Sequence, residues 1–554
     1  MTEIFITSSV LILALLILRK VFRKNLSRRV QYALWALVQV RLPVRQTVNP
    51  LLAATSMAAG KKQLKDRFTR IAKRTRQTVA AVVAAALLVA AVSACTYTGG
   101  NSGKVVVCFD IGPAVELPMP TDYQGAISGF LNWIDDCHKY LGLSISSEDI
   151  EVDIIPGTEK EPAARAGALQ RIRAELMAGK GPDIFISTTL SDWYSQGEEF
   201  TGIEGGRLFP YVEKTMDSGI FLPLDDLLSE LTISNPDDLI PQVMEGGKNQ
   251  KGEQVLLPLS FTVPGIMFSG DDLPESDYTG TSWDDVLAGN DPVLAEQAVW
   301  SFNFRNPNFA GNKNYVRMGQ HNSGLSYLFP QVADFDAERP YLSEEEIFQT
   351  VRDSIAAYRN VLDRETEQFS CSLYVSDIFT QYDGTAHDYP GPANTPYTFM
   401  PLRNTLGGST AAVISYCAVN ASTKQKDKVR DVLDALLYED FQRDNKLNRL
   451  FRGMTVNRNL SGVPDGGAYF TGQKLEAWQR ICEDINIVRF PSPLDAELDA
   501  MMKDIEDAMY AYRLGEGGVI FRNGEFMKGS VSDEELRTII SQHYQAMQRL
   551  LDES

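Results

Sequence analysis

The sequence predicts an α/β fold built on a parallel sheet, and three observations carry that reading. Val105-Val106-Val107-Cys108-Phe109 is an unbroken apolar run, the pattern of a strand covered on both faces. Val152–Ile155 and Asp183–Ser187 follow as second and third strands of the same kind. Between them lie two stretches of helical spacing, and strand–helix alternation implies parallel strands joined by right-handed crossovers.

Each element has its own local reason. Ile127, Phe130, Leu131, Ile134, His138 and Leu141 recur at the spacing of one helix face, so His138 reads as a helix-face residue rather than a ligand. Pro162 is placed to open the next helix, which carries Leu169, Ile172 and Leu176 inward and stops at Gly179. Later helices are longer. Ser343 to Glu346 forms a capping box ahead of Ile347, Val351, Ile355, Tyr358 and Leu362. Lys424–Glu439 presents Val429, Leu433, Leu436 and Leu437. Leu494, Leu498, Met501, Ile505, Met509 and Tyr512 make another apolar stripe, and Ser532 to Glu535 caps a last helix with Leu536, Ile540, Met547 and Leu551 inward. His543 falls beside that stripe and reads as structural. Ser269–Gly280 and Leu460–Gly472 are rich in Gly and Asp and read as surface loops.

At 554 residues the chain is long enough for two or more domains. Its charge is unevenly spread. Of 53 Lys and Arg and 72 Asp and Glu, residues 1–94 hold 16 and 2, which leaves 37 and 70 in the rest. The segments therefore carry +14 and −33. A body that acidic repels polyanions, which argues against a nucleic-acid partner. Six cysteines (Cys95, Cys108, Cys137, Cys371, Cys417 and Cys482) form no Cys-x-x-Cys or Cys/His cluster, so neither a zinc site nor a disulfide framework is expected.

The basic N-terminal segment reads as membrane-directed. Ile4–Leu18 is apolar and is followed by Arg19, Lys20, Arg23, Lys24, Arg28 and Arg29, the flank expected on the cytoplasmic side of a span. A second leader starts with a basic run from Lys61 to Arg76, continues as the apolar stretch Val79–Ala94, and ends in Val92-Ser93-Ala94-Cys95. Basic region, apolar region and small residues before a cleavage point make a secretory signal. Small residues before Cys95 resemble the lipobox of bacterial lipoproteins, which implies cleavage before Cys95 and lipidation of its thiol. Two acyl chains hold a protein on a bilayer stably, at about 0.8 kcal/mol per buried methylene. Thr96–Gly103 reads as a flexible tether.

Residues 1–45 separately resemble the N-terminal membrane segment of beta-lactam-sensing antirepressor metallopeptidases. None of His138, His321, His387 and His543 starts the His-Glu-x-x-His motif that zinc chemistry of that family needs. Met57 offers an internal start, so 1–56 is expected to be an extension and 57–94 the signal peptide.

Six segments of the body, in order, resemble bacterial extracellular solute-binding proteins of the sugar type. They are Leu176–Ser187, Gly219–Glu230, Lys251–Phe268, Thr281–Gly289, Ala411–Leu437 and the Arg-Gly-Met-Thr-Val-Asn-Arg stretch at Arg452–Arg458, where Met-Thr replaces the family's usual Pro. The resemblance implies a two-lobed, type II periplasmic-binding-protein fold with hinge strands and a C-terminal helical segment. It places one lobe at 104–260 plus 413–465 and the other at 261–412 plus 466–554. It also implies ligand capture between the lobes, delivery to the transmembrane permease subunits of an ABC importer, and a lipid-anchored position on the extracytoplasmic face of the cell membrane. A sugar or oligosaccharide is the family's default ligand; no cofactor, metal or catalytic residue is expected.

Ligands of open α/β sheets sit beyond the carboxyl ends of the strands. That rule nominates Asp110 after the first strand and Thr188, Thr189, Asp192 and Trp193 after the third. Thr262 is nominated in the first crossing between lobes, Gly407 and Gly408 before the return crossing, and Tyr374 as an aromatic of the second lobe; Trp300 and Tyr416 are weaker candidates. Aromatic faces stack on sugar C–H faces, and Asp or Thr pairs with hydroxyls. Two other functions stay open: a cell-surface glycoside hydrolase working through paired carboxylates, and a ligand-presenting partner of a membrane sensor kinase. No Gly-x-Ser-x-Gly, P-loop or His-Glu-x-x-His motif is present.

Overall fold

The structure is a computed structural model. It describes residues 103–110, 123–156, 162–188, 206–269, 278, 280–291, 294, 325–363, 372–377, 397–443, 454–460, 473–511 and 531–553. The segments read as a membrane span, signal and lipobox lie outside the described residues, as does the segment likened to the antirepressors. Among the described residues no helix is long and apolar enough to cross a membrane.

The first body is a mixed seven-stranded sheet. Strands β1 (Val105–Asp110), β2 (Ile150–Ile155) and β3 (Ile184–Thr188) are parallel, with Val107 opposite Val152 on one side and Ile184 on the other. Helix α1 (Tyr123–Asp136) joins β1 to β2 and α2 (Pro162–Met177) joins β2 to β3, the alternation the sequence implied. A wider turn of π-helix at Cys137–Leu141 extends α1, and His138 Nδ1 pairs with the Leu143 carbonyl at 2.8 Å, a structural role.

Beyond β3 the chain runs through the short helix α3 (Val212–Met216) to β4 (Leu256–Thr262). Between β3 and β4 lies β10 (Ser409–Val419), antiparallel to both and buried along its whole length. The order is β11-β4-β10-β3-β1-β2, with β11 at Met454–Thr455 and β12 (Ile485–Arg489) pairing parallel to β10. An antiparallel strand that arrives late in the chain is thus inserted between strands formed much earlier. Ala412, Val413, Ile414 and Cys417 of β10 are all 0% exposed, as a central strand covered on both faces requires. Helix α7 (Lys426–Leu437) returns over this sheet, where the Trp133 indole N–H of α1 donates to the Ala435 carbonyl at 2.9 Å. Burial of Phe109, Phe130, Phe185 and Phe261 stabilises the body by about 1.5–3 kcal/mol each.

The second body has its own core. Strand β5 (Pro264–Ser269) lies between β8 (Ser372–Asp377) and β9 (Tyr397–Pro401), antiparallel to both, and β6 (Ala333–Asp334) pairs with β7 (Arg339–Pro340). Helices α4 (Trp283–Ala288), α5 (Leu325–Leu328), α6 (Glu344–Asp363), α9 (Pro493–Ala511) and α10 (Asp533–Asp552) surround it. The expected caps are present: Ser343 and Glu346 exchange side-chain and backbone hydrogen bonds, and the Glu535 N–H donates to Ser532 Oγ. Leu494, Leu498, Met501, Ile505, Leu536, Ile540, Met547 and Leu551 are buried in this core.

One boundary differs from the expectation. The sequence resemblance places residues 466–554 in the second lobe, but α8 (Gln473–Asp484) and β12 belong to the first body. Trp478, Ile481, Cys482 and Ile485 lie in its core, and the Trp478 ring stacks on Phe261 at 5.7 Å. The tail therefore returns to the large sheet before it crosses a third time, at 489–493. The four described cysteines (Cys108, Cys137, Cys417 and Cys482) are buried free thiols.

Candidate functional site

The chain passes between the two bodies at three places: Val263, between β4 and β5; residues 402–408, between β9 and β10; and residues 489–493, between β12 and α9. The first two run side by side, with the Leu402 N–H donating to the Pro264 carbonyl at 2.9 Å. The carboxyl ends of β1 and β3 stand in register, Asp110 opposite Ser187.

Asp110 is 3% exposed, and its carboxylate braces the frame. Arg165 Nη2 donates to Oδ1 at 2.8 Å, and the Leu208 N–H donates to Oδ2 at 3.0 Å. Burial alone would raise its pKa, but the charges of Arg207 and Arg165 and the Leu208 N–H outweigh that and hold it below the usual carboxylate range. Arg165 is fully buried and donates also to the Pro156 and Gly206 carbonyls, so it ties the end of β2, the start of α2 and the 206–208 segment to β1. Arg207 Nη1 donates to the Thr188 carbonyl at 2.5 Å, which fixes the end of β3. Asp110 is thus tied into the frame that shapes the strand ends, a structural part that its position at a strand end did not reveal.

Thr188 is part-exposed at the end of β3. Its register partner on β10 is Ser415, which faces Ser260 on β4; the Ser415 and Ser260 hydroxyls meet at 2.5 Å inside the sheet. Thr262 ends β4 and is 3% exposed. Tyr416 is a core residue, 2% exposed, with its ring edge-on to Phe490. Tyr374 lies on β8 opposite Met267 of β5. Thr189, Asp192, Trp193, Trp300 and Cys95 lie outside the described residues.

Gly407 and Gly408 form the turn into β10. Gly407 sits at φ +76°, a conformation that disfavours side chains, and any Cβ on Gly408 would collide with the Asn486 side chain. Asn486 accepts from Asn404 Nδ2 at 2.8 Å and donates to the Leu406 carbonyl at 3.2 Å. Both glycines are required by this turn, whatever else approaches it. Arg403, fully buried in the same crossing, donates to Asp484 of the first body and to the Thr281 carbonyl of the second. Sequence reading passed over Arg165, Arg207, Arg403 and Arg489, because an arginine in an amphipathic stretch carries no mark of the carboxylate it will meet. Among the described residues no group of His, Cys, Asp and Glu is arranged to hold a metal ion.

No family model matches the chain, and no curated protein matches it. Solved structures are similar at low identity. An extracellular solute-binding protein family 1 member from Alicyclobacillus acidocaldarius is 12% identical with a TM-score of 0.43, covering 81% of this chain and 98% of its own. A periplasmic oligogalacturonide binding protein from Yersinia enterocolitica is 12% identical with a TM-score of 0.42, covering 81% and 100%. The sugar-binding protein MalE from Xanthomonas citri is 11% identical with a TM-score of 0.45, covering 81% and 97%. The fold assignment rests on the strand order and the three crossings described above.

Proposed function

We propose that this chain is the extracytoplasmic solute-binding lipoprotein of an ABC importer, holding a small carbohydrate between its two bodies and delivering it to the permease. The observation that carries the reading is the late antiparallel strand β10, inserted between β3 and β4 and entered from the second body. That connectivity joins two bodies through short segments that a small rotation can bend, the arrangement suited to closing on a ligand. Ligand contacts are assigned to Thr188, Thr189, Asp192, Trp193 and Thr262 on one side and Tyr374 on the other, with Asp110, Gly407 and Gly408 shaping the ends that present them. Cys95 is assigned as the lipid anchor.

A thermal-shift titration of the full chain against neutral sugars, oligosaccharides and uronic acids tests this. A true ligand at a hundred times its dissociation constant stabilises the folded state by about 2.7 kcal/mol. A saturable rise in Tm without turnover is expected. Hydrolysis of a glycoside in the same samples would replace the reading with the hydrolase one, and an absence of any saturable shift would overturn the carbohydrate assignment. Intact mass of membrane-extracted protein checks the anchor: an unmodified Cys95 or a retained leader sinks it.

A further inference from the structure

The third crossing carries a charge arrangement that the binding reading does not use. β12 ends at Arg489, which is fully buried. Its Nη1 donates to the Ser326 and Phe329 carbonyls of the second body, at 3.0 and 3.1 Å. Its Nη2 donates to Asp495 Oδ1 on α9 at 2.9 Å. Asp495, 2% exposed at the side chain, also accepts from the Ser492 N–H and hydroxyl at 2.7 Å each. The guanidinium Nε makes no hydrogen bond. Facing it at 3.8 Å is Glu213 Oε1, from α3 of the first body. Glu213 is 23% exposed and accepts the Phe490 N–H of the crossing itself.

One guanidinium therefore meets two carboxylates supplied by different bodies. Asp495 neutralises Arg489 at hydrogen-bond distance, so an ionised Glu213 adds an uncompensated negative charge in a largely dry place. Its carboxyl is pushed up to about 7, by burial first and by the Asp495 charge, against the opposing pull of Arg489 and the Phe490 N–H. The charged groups facing it are Arg489 from β12 and Asp495 from α9; its own helix adds Lys214 as a chain neighbour.

We propose that Glu213 is a proton-operated tie between the first body and the third crossing: protonated, it packs beside Arg489 without excess charge and lets the crossing sit against α3; ionised, its uncompensated charge is relieved when the crossing loosens and water reaches it. The freedom of the two bodies to move is then set by pH across neutrality, whatever ligand they hold.

Hydrogen exchange of the full chain tests this, read on peptides spanning residues 489–495 at about pH 6 and about pH 8, either side of the Glu213 titration, with intrinsic exchange rates removed. Wild type is expected to be several-fold better protected at the lower pH, where Glu213 carries its proton, and Glu213→Gln to show no pH dependence; better wild-type protection at the higher pH also overturns the proposal. Asp495→Asn removes the repulsion on Glu213 and is expected to move the protection midpoint to lower pH. Equal pH dependence in wild type and Glu213→Gln overturns the proposal. If Glu213→Gln does not fold, Asp495→Asn decides: a shifted midpoint supports the tie, and an unmoved one overturns it.

Discussion

The two bodies are closed by different kinds of polar contact. In the first, buried carboxylates accept from backbone. Asp434, 0% exposed on α7, receives the N–H groups of Thr232, Ile233 and Ser234 and the Thr232 hydroxyl. Half-buried Asp183 receives the Val106 N–H, and buried Asp431 receives that of Ser144. Asp110 with Arg165 closes the strand ends. In the second body, the helix packing of α6, α9 and α10 is edged by contacts between side chains near solvent. Arg537 pairs with Glu345 and lies 3.6 Å above the Phe348 ring, and His543 bridges Glu497 and Asp504 of α9. A carboxylate buried among its donors is not easily replaced by water, whereas an exposed pair exchanges one hydration for another. The first body should therefore be brittle to single substitutions at these positions, and the second tolerant.

The largest effect is expected from Arg165→Met. It removes the guanidinium hydrogen-bonded to buried Asp110, leaving only the Arg207 charge and the Leu208 N–H on that carboxylate, and removes three hydrogen bonds to carbonyls, for a loss of about 3–5 kcal/mol in chemical denaturation. Adding Asp110→Asn should recover part of that loss; a double variant no better than the single one would refute the charge argument. Asp434→Ala comes next, because it empties a fully buried carboxylate site and leaves the part-buried amides of residues 232–234 without that acceptor; about 1–3 kcal/mol is expected, read as a shifted midpoint at unchanged slope.

His543→Gln should be milder and depend on pH. Burial alone would lower the pKa of His543, but hydrogen bonds to Glu497 and Asp504 and their charges raise it above the ordinary value. A raised histidine pKa contributes stability that is complete below its unfolded value and is lost as pH rises through its folded value. The wild-type advantage over His543→Gln is expected to be about 1 kcal/mol in mild acid and to fade above neutrality. An advantage that grew with pH would reverse the assignment. Smallest of all, Glu345→Gln should leave the denaturation midpoint unchanged although it breaks the Arg537 pair, since both side chains are about half exposed. A clear loss there would erase the contrast between the bodies.

Much of the frame was legible in the residues. The apolar run at β1, the Pro162 start of α2, the capping box at Ser343, the N-cap at Ser532 and the inward stripe of α10 all follow from local chemistry, and the structure reproduces them within a residue or two. The destination of α8 was not legible. Its apolar positions Trp478, Ile481 and Cys482 fit either core, and only β12 pairing beside β10 commits that segment to the first body. At the candidate site, position was readable and role was not. Asp110 and Thr188 do end adjacent paired strands, yet the burial of Asp110 against Arg165 depends on a residue 55 positions away.

What the sequence by itself determined is the α/β class, the order of the elements and their inward faces, because these depend on spacing, caps and turns within a few residues. What only the tertiary structure decided is which charges meet. The arginines at 165, 403 and 489 are each fully buried, and each reaches a carboxylate in another element. An ion pair is a property of two side chains brought within a few ångströms in a place with little water, and neither the distance nor the dryness is written in either residue's neighbours. Glu213 shows the consequence: an unremarkable surface residue by sequence becomes, beside Arg489 and Asp495, a group poised between its two protonation states at neutral pH.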